Sequence, residues 1–154
     1  MVKKAVFAFI ILFMVSGQAS GAENQPAPVE PPQDCLCKEC GMYIRGEGVK
    51  FASEVIFEDG KTLFFCDLGD LFVYFNVLRK KGDVAAIYVR DYLTGGWIDG
   101  RAGFYLAGAK VVTPMRYGII AFKDRAAAAG FMKQKGGDRI YTFDEVIASG
   151  VYRR

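Results

Sequence analysis

The sequence predicts an α+β fold made of two tandem β-β-α-β modules. Three observations carry this reading. Short runs of β-branched and aromatic residues are separated by turn residues. An aspartate following a strand signal opens a stretch of helical spacing twice, at Asp67 and at Asp124. Each stretch stops at glycine, first Gly82 and then Gly136-Gly137, and a further strand signal follows. Strand, capped helix, glycine stop and strand thus recur in the same order, as a duplication produces.

The chain opens with Lys3 and Lys4, an apolar run over residues 5–15 and small residues over 16–22. This reads as a secretory signal peptide, residues 1–22, cleaved after Ala22 or, as second choice, Ala19. The apolar run, about eleven residues, falls short of the ~20 that a membrane-spanning helix needs. No cysteine lies near the cleavage site to serve as a lipoprotein attachment point, so the expected location is the periplasm, in soluble form. Losing Lys3 and Lys4 lowers the net charge from +3 to +1, which excludes nucleic acid as an electrostatically driven partner. Residues 23–34 hold Pro26, Pro28, Pro31 and Pro32 without an apolar period, the pattern of a mobile, polyproline-II-like tether. Residues 35–154 remain as one domain, long enough to bury a core without covalent staples.

Within that domain, residues 49–57 read as a strand and residues 61–65 as its hairpin partner. Asp59-Gly60 supplies the positive φ angles of the turn between them. Asp67 caps a helix carrying Leu68, Leu71, Phe72, Phe75 and Leu78 at helical spacing, with Asp70 placed to favour the helix dipole. Residues 85–90 form the third strand. The first module spans about residues 40–92. The second, about 97–150, takes strands at 97–99, 104–107 and 119–122, a helix behind Asp124, and a closing strand at 139–141. Thr142 and Glu145 then make a capping box for a last helix over 143–148.

Chemistry concentrates in Cys35-Leu36-Cys37-Lys38-Glu39-Cys40-Gly41-Met42. The chain has no histidine, so a metal site must use sulfur, carboxylate or backbone. Thiolates and thioethers select Cu(I), zinc or iron–sulfur clusters. In an exported chain disulfides among Cys35, Cys37, Cys40 and Cys66 are the plain alternative. Bridges within residues 35–40 would close tiny loops of little entropic value. Cys40 and Met42 fall on one face of an extended segment, a thiolate beside a thioether. Met115 follows Thr113-Pro114 and therefore lies on a loop, where it can act as a ligand. Met132, on a helix, reads as core.

The ordered set Cys40-Gly41-Met42, residues 64–72 (FFCDLGDLF), residues 87–92 (IYVRDY), Trp97-Ile98-Asp99, Thr113-Pro114-Met115, Ala121-Phe122 and Gly136-Gly137 resembles the NosL family of exported copper-binding proteins. The resemblance implies two β-β-α-β modules arranged as in the organomercurial lyase. It implies Cu(I) as cargo, with Cys40, Met42 and Met115 as ligands and Cys35, Cys37 and Cys66 as possible additions. It also implies delivery to a periplasmic cuproenzyme such as nitrous oxide reductase, through a NosD-type maturation partner or directly to the apo-cuproenzyme.

Two other classes stay open. The cysteines could build a zinc site or exchange disulfides, with Cys66 activated by the helix N-terminus behind it. Zinc sites do not use thioethers, so Met42 and Met115 would then be irrelevant. An enzyme would need a carboxylate pair such as Asp91 and Asp99, for which turn and capping roles suffice, and fold analogy alone carries no activity. The chain is expected not to be an enzyme.

Overall fold

The computed structural model describes residues 25–78 and 83–153. The signal-peptide reading and the Gly82 helix stop lie outside the described residues.

The first half runs β1 (Ser53–Phe57), β2 (Thr62–Phe65), α1 (Leu68–Leu78) and β3 (Val84–Arg90). The second runs β5 (Phe104–Ala107), β6 (Ile120–Phe122), α2 (Arg125–Lys135) and β7 (Arg139–Thr142), followed by α3 (Phe143–Ser149). Both sheets are antiparallel, ordered β2-β1-β3-β4 and β6-β5-β7. In each, the first strand of the half is flanked by the second strand on one side and by the post-helical strand on the other.

Local signals act as expected at several points. Gly60 closes the β1–β2 hairpin at φ +82°; Asp59 does not share the positive φ expected of it and instead accepts from Lys61 N at 2.9 Å through Oδ1. The Asp124 carboxylate accepts from Ala127 N at 2.7 Å, and Thr142 with Glu145 forms the reciprocal capping box.

Three expectations are corrected. Gly46–Phe51 is a 3-10 turn, so the first strand begins only at Ser53. The short strand β4 (Trp97–Asp99), expected in the second half, pairs with β3 and widens the first sheet. The proline-rich segment is no free tether. Val29 N donates to Glu54 Oε1 at 2.9 Å, Tyr88 Oη to Pro26 O at 2.9 Å, and Trp97 Nε1 to Glu30 Oε1 at 3.0 Å, while Arg90 pairs with Glu30. Glu54 and Tyr88 face each other across β1 and β3, as Arg90 and Trp97 do across β3 and β4. They form a polar row opposite the apolar row of Val55, Ile87 and Val89, and the segment straps over it.

The apolar rows set the layering. Along β5 and β6, Tyr105, Ala107, Ile119 and Ala121 join Val55, Phe65, Leu71, Phe72 and Val89 in one core. Leu106, Ile120 and Phe122 point the other way, against Ala128, Phe131 and Met132 of α2. The three-stranded sheet is therefore covered on both faces, which follows from side-chain alternation with period two. Met132 is a core residue, as expected. The sheets also join at an isolated parallel bridge between Asp91 and Ala121, with Tyr92 N donating to Ala121 O at 2.8 Å. Phe72 stands among Tyr105, Phe143 and Tyr152, with ring centroids 5.2–5.8 Å away, and so docks α1 onto the second half.

Candidate metal centre

Residues 35–44 fold back on themselves as a small ribbon. Leu36 bridges Tyr43, Cys37 N donates to Met42 O at 2.8 Å, and Ile44 N donates to Cys35 O at 2.9 Å. Gly41, at φ +74°, supplies the left-handed residue that the reversal needs. Lys38 N donates to Phe64 O at 2.8 Å and moors the ribbon to β2. Alternation then turns Cys37 and Ile44 inward, both 2 % exposed, and leaves Leu36 and Tyr43 outside. Cys37 is part of the core.

Cys66 follows β2 directly, at the threshold of α1, and Asp70 lies one turn further along. Residues i and i+4 share a helix face, so the Asp70 carboxylate returns to the sulfur. Cys40 Sγ stands 3.5 Å from Cys66 Sγ, while Asp70 Oδ2 is 3.3 Å from Cys37 Sγ and 3.5 Å from Cys66 Sγ. The four ligand atoms of Cys37, Cys40, Cys66 and Asp70 all lie within 4.8 Å of one another. None of the four thiols of the chain is bridged.

Four acids in one pocket cannot all ionise. The Cys37 thiol is drawn down to about 5, first by the Cys66 thiol donating to it and then by backbone amides of the ribbon. Cys66 is pushed up for the same reason, as the donor to Cys37, and further by burial. Sequence reasoning expected the helix N-terminus to activate Cys66; the neighbouring sulfur outweighs that effect. Burial raises Cys40 to about 11 and also raises Asp70. The pocket therefore holds one ready thiolate, Cys37, beside two thiols, Cys40 and Cys66, that give up protons when a cation arrives.

Asp67 organises the other wall. Its Oδ1 caps α1 by accepting from Gly69 N at 3.0 Å, and its Oδ2 accepts from Met115 N at 2.8 Å. The loop carrying Met115 is pinned by Arg116 N donating to Thr113 O at 2.9 Å. The Tyr117 ring packs closely against Gly69. Met115 thus packs at the N-terminus of α1, against the core that includes Cys37 and Cys66.

The expected ligands are distributed unevenly. Cys40 joins Cys37 and Cys66 in one cluster. Cys35 stays outside it, with its sulfur toward Leu36 O at 3.8 Å. Met42 is 47 % exposed on the outer part of the ribbon. Asp70 was missed because its place in the first helical turn already gave it a role. The available signal was the pairing of Cys37-x-x-Cys40 with a Cys66–Asp70 spacing of one helical turn. The side chains of Asp91 and Asp99 hold local backbone: Asp91 accepts from Thr94 N and Lys123 N, and Asp99, the last residue of β4, from Arg101 N. Among the described residues, no helix is long and apolar enough to cross a membrane.

A NosL family model matches residues 28–151. The crystal structure of the copper chaperone NosL from Shewanella denitrificans has the same fold, with a TM-score of 0.66 at 23 % identity over 82 % of this chain and 98 % of that one. No curated protein sequence matches this chain.

Proposed function

This chain belongs to the NosL family, and from that premise we propose that it is an exported Cu(I)-binding chaperone, without turnover of its own. The two halves are read as tandem copies of one β-β-α-β unit, arranged as in the organomercurial lyase. The supporting observation is the sulfur cluster at the start of α1, with further soft donors nearby in sequence or on the neighbouring loop. Cys40 lies at the edge of a buried sulfur cluster, Met42 stands exposed two residues beyond it, and the Met115 loop is held to α1 by Asp67.

In this reading Cys40 is the anionic anchor for the cargo, and Met42 and Met115 complete a soft site with neutral donors. Thioethers bind Cu(I) without adding charge and exchange easily, which suits an ion that must be handed on. The exposure of Met42 leaves a side from which a receiving ligand can enter. The recipient is a periplasmic cuproenzyme such as nitrous oxide reductase, reached through a NosD-type partner or directly as the apo-enzyme. The chain reaches the periplasm behind its signal peptide.

Competition for Cu(I) against a chromophoric chelator tests this. A single Cu(I) binds per chain; Cys40→Ala weakens it most, and Met42→Ala and Met115→Ala each weaken it measurably. If both methionine variants bind like wild type while a Cys35/Cys37 double variant does not, the ligand set is wrong.

A further inference from the structure

We propose that Cys40 and Cys66 are a reversible oxidation site, a dithiol that closes to a disulfide by exchange with an external disulfide. Two contacts select this pair. Cys40 Sγ and Cys66 Sγ stand 3.5 Å apart, and neither is bridged. A disulfide bond is about 2.05 Å long, so the sulfurs have roughly 1.5 Å to close. The backbones are already tied two residues before each cysteine, by Lys38 N donating to Phe64 O at 2.8 Å. That bond fixes how the ribbon approaches β2, and rotation of the two side chains about Cα–Cβ supplies the remainder. Cys37 Sγ, by contrast, is engaged by Asp70 Oδ2 at 3.3 Å.

Exposure decides which thiol meets the oxidant. Cys37 and Cys66 are each 2 % exposed, while Cys40 is only partly buried. Cys40 Sγ is therefore the point of entry. It attacks one sulfur of the oxidant R–S–S–R and forms a mixed disulfide, and the first R–SH leaves with the Cys40 proton. Cys66 Sγ then attacks the Cys40 sulfur, and the second R–SH leaves with the Cys66 proton. Two protein thiols are oxidised by two electrons, and one external disulfide is reduced to two thiols. Cys35 is also partly buried, but its sulfur lies toward Leu36 O at 3.8 Å, outside the cluster that holds Cys66.

The functional consequence rests on the copper reading, in which Cys40 is the anionic anchor. A bridged Cys40 has no thiolate to offer, so the oxidised chain keeps only thioethers for Cu(I) and releases it. Copper loading is thereby confined to the reduced chain. The bridge also joins residues 26 apart in sequence and ties the ribbon covalently to the start of α1, which stabilises the oxidised, empty form. An exported chain meets oxidants of the disulfide class.

The test equilibrates the metal-free full chain with oxidised and reduced glutathione at graded ratios, then quenches with acid, alkylates and maps the peptides by mass. Two of the four thiols should be lost, with Cys40 and Cys66 in one cross-linked fragment, and dithiothreitol should restore both. Cys35→Ser should form the same bridge. Four free thiols in excess oxidised glutathione, a bridge from Cys37 to Cys40 or Cys66, or glutathione adducts without an internal bridge would overturn the site. Mapping of the wild-type chain decides this whatever the fate of a variant. Competition against a chromophoric chelator should then show Cu(I) affinity lowered by about a hundredfold or more in the bridged chain and regained on reduction. A mapped Cys40–Cys66 bridge with undiminished Cu(I) affinity would leave the oxidation site standing and remove Cys40 from the copper ligands, so the two readings fail separately.

Discussion

The two halves of this NosL-family chain follow the same path of strand, strand, aspartate-capped helix and strand, yet they differ in what they bury. Among the described residues, Ser53, Glu54, Asp67, Asp70, Arg90 and Asp91 of the first half are buried polar or charged side chains, and the second half contributes only Thr113. The two helix caps show the contrast at one position. Asp124 caps α2 at the surface, with one oxygen satisfied by Ala127 N. Asp67 is buried and spends both oxygens, one on α1 and one on the Met115 loop. The same local device thus closes a helix in one half and holds a second loop against the candidate site in the other. Secondary structure alone does not separate a scaffold half from a site-bearing half; the burial of its polar groups does.

The largest expected effect comes from filling the close contact behind that loop. A Cβ on Gly69 would fall 1.9 Å from Tyr117 Cγ, whereas one on Gly130 of α2 meets nothing within 4 Å. Cγ is the root of the tyrosine ring and cannot move without the loop. Gly69→Ala should therefore cost about 3 kcal/mol, while Gly130→Ala should stabilise by about 0.5–1 kcal/mol through helix propensity. Denaturant melts of both variants check this. Equal midpoints would mean that the Met115 loop is not fixed to α1.

Next in size is the pair of caps. Asp67→Ala removes two acceptors from a buried position and leaves Met115 N without its partner, a loss of about 2–3 kcal/mol. Asp124→Ala removes one exposed cap, about 1 kcal/mol. Only the first should also weaken Cu(I) binding, because only Asp67 holds the loop of a proposed ligand. A matched loss in both variants, with copper affinity intact, would reduce Asp67 to an ordinary cap.

What the sequence made legible was local. Asp124, the Thr142–Glu145 box, Gly60 and the strand runs act within a few residues of themselves, so their chemistry can be read without knowing the fold. The strap could not be read that way. Its prolines match the composition of a loose linker, and the groups that hold it, Glu54, Tyr88, Arg90 and Trp97, lie far along the chain on one sheet face. β4 was placed in the wrong half because three residues carry no information about which neighbour they pair with. At the site, Cys40 was found from its density of neighbours. Cys37 and Cys66 entered only as possible additions and Asp70 not at all, because their convergence needs the ribbon moored to β2 and a helix turn set beside it, which only tertiary packing brings about.

The smallest effect concerns pH and the strap. Glu54 is fully buried under residues 25–34; its Oε1 accepts from Val29 N, and its Oε2 has no hydrogen-bond partner. Burial pushes its carboxyl up to about 7 from 4.5, against the opposing pull of the Val29 amide and the Arg90 charge. The folded state therefore holds the proton more tightly than the unfolded chain does. The resulting stability is fully present below 4.5, declines as pH rises from there to about 7, and is absent above. Glu54→Gln keeps the acceptor for Val29 and is neutral at every pH. Between pH 4.5 and 7, wild type should lose on the order of 2 kcal/mol relative to this variant, with no further divergence at pH 8. Chemical denaturation across that range, read as the difference between the two proteins, isolates this carboxyl from all others. Parallel curves would show that Arg90 and the strap keep Glu54 ionised, and the first half would then bury a true ion pair where the second buries none.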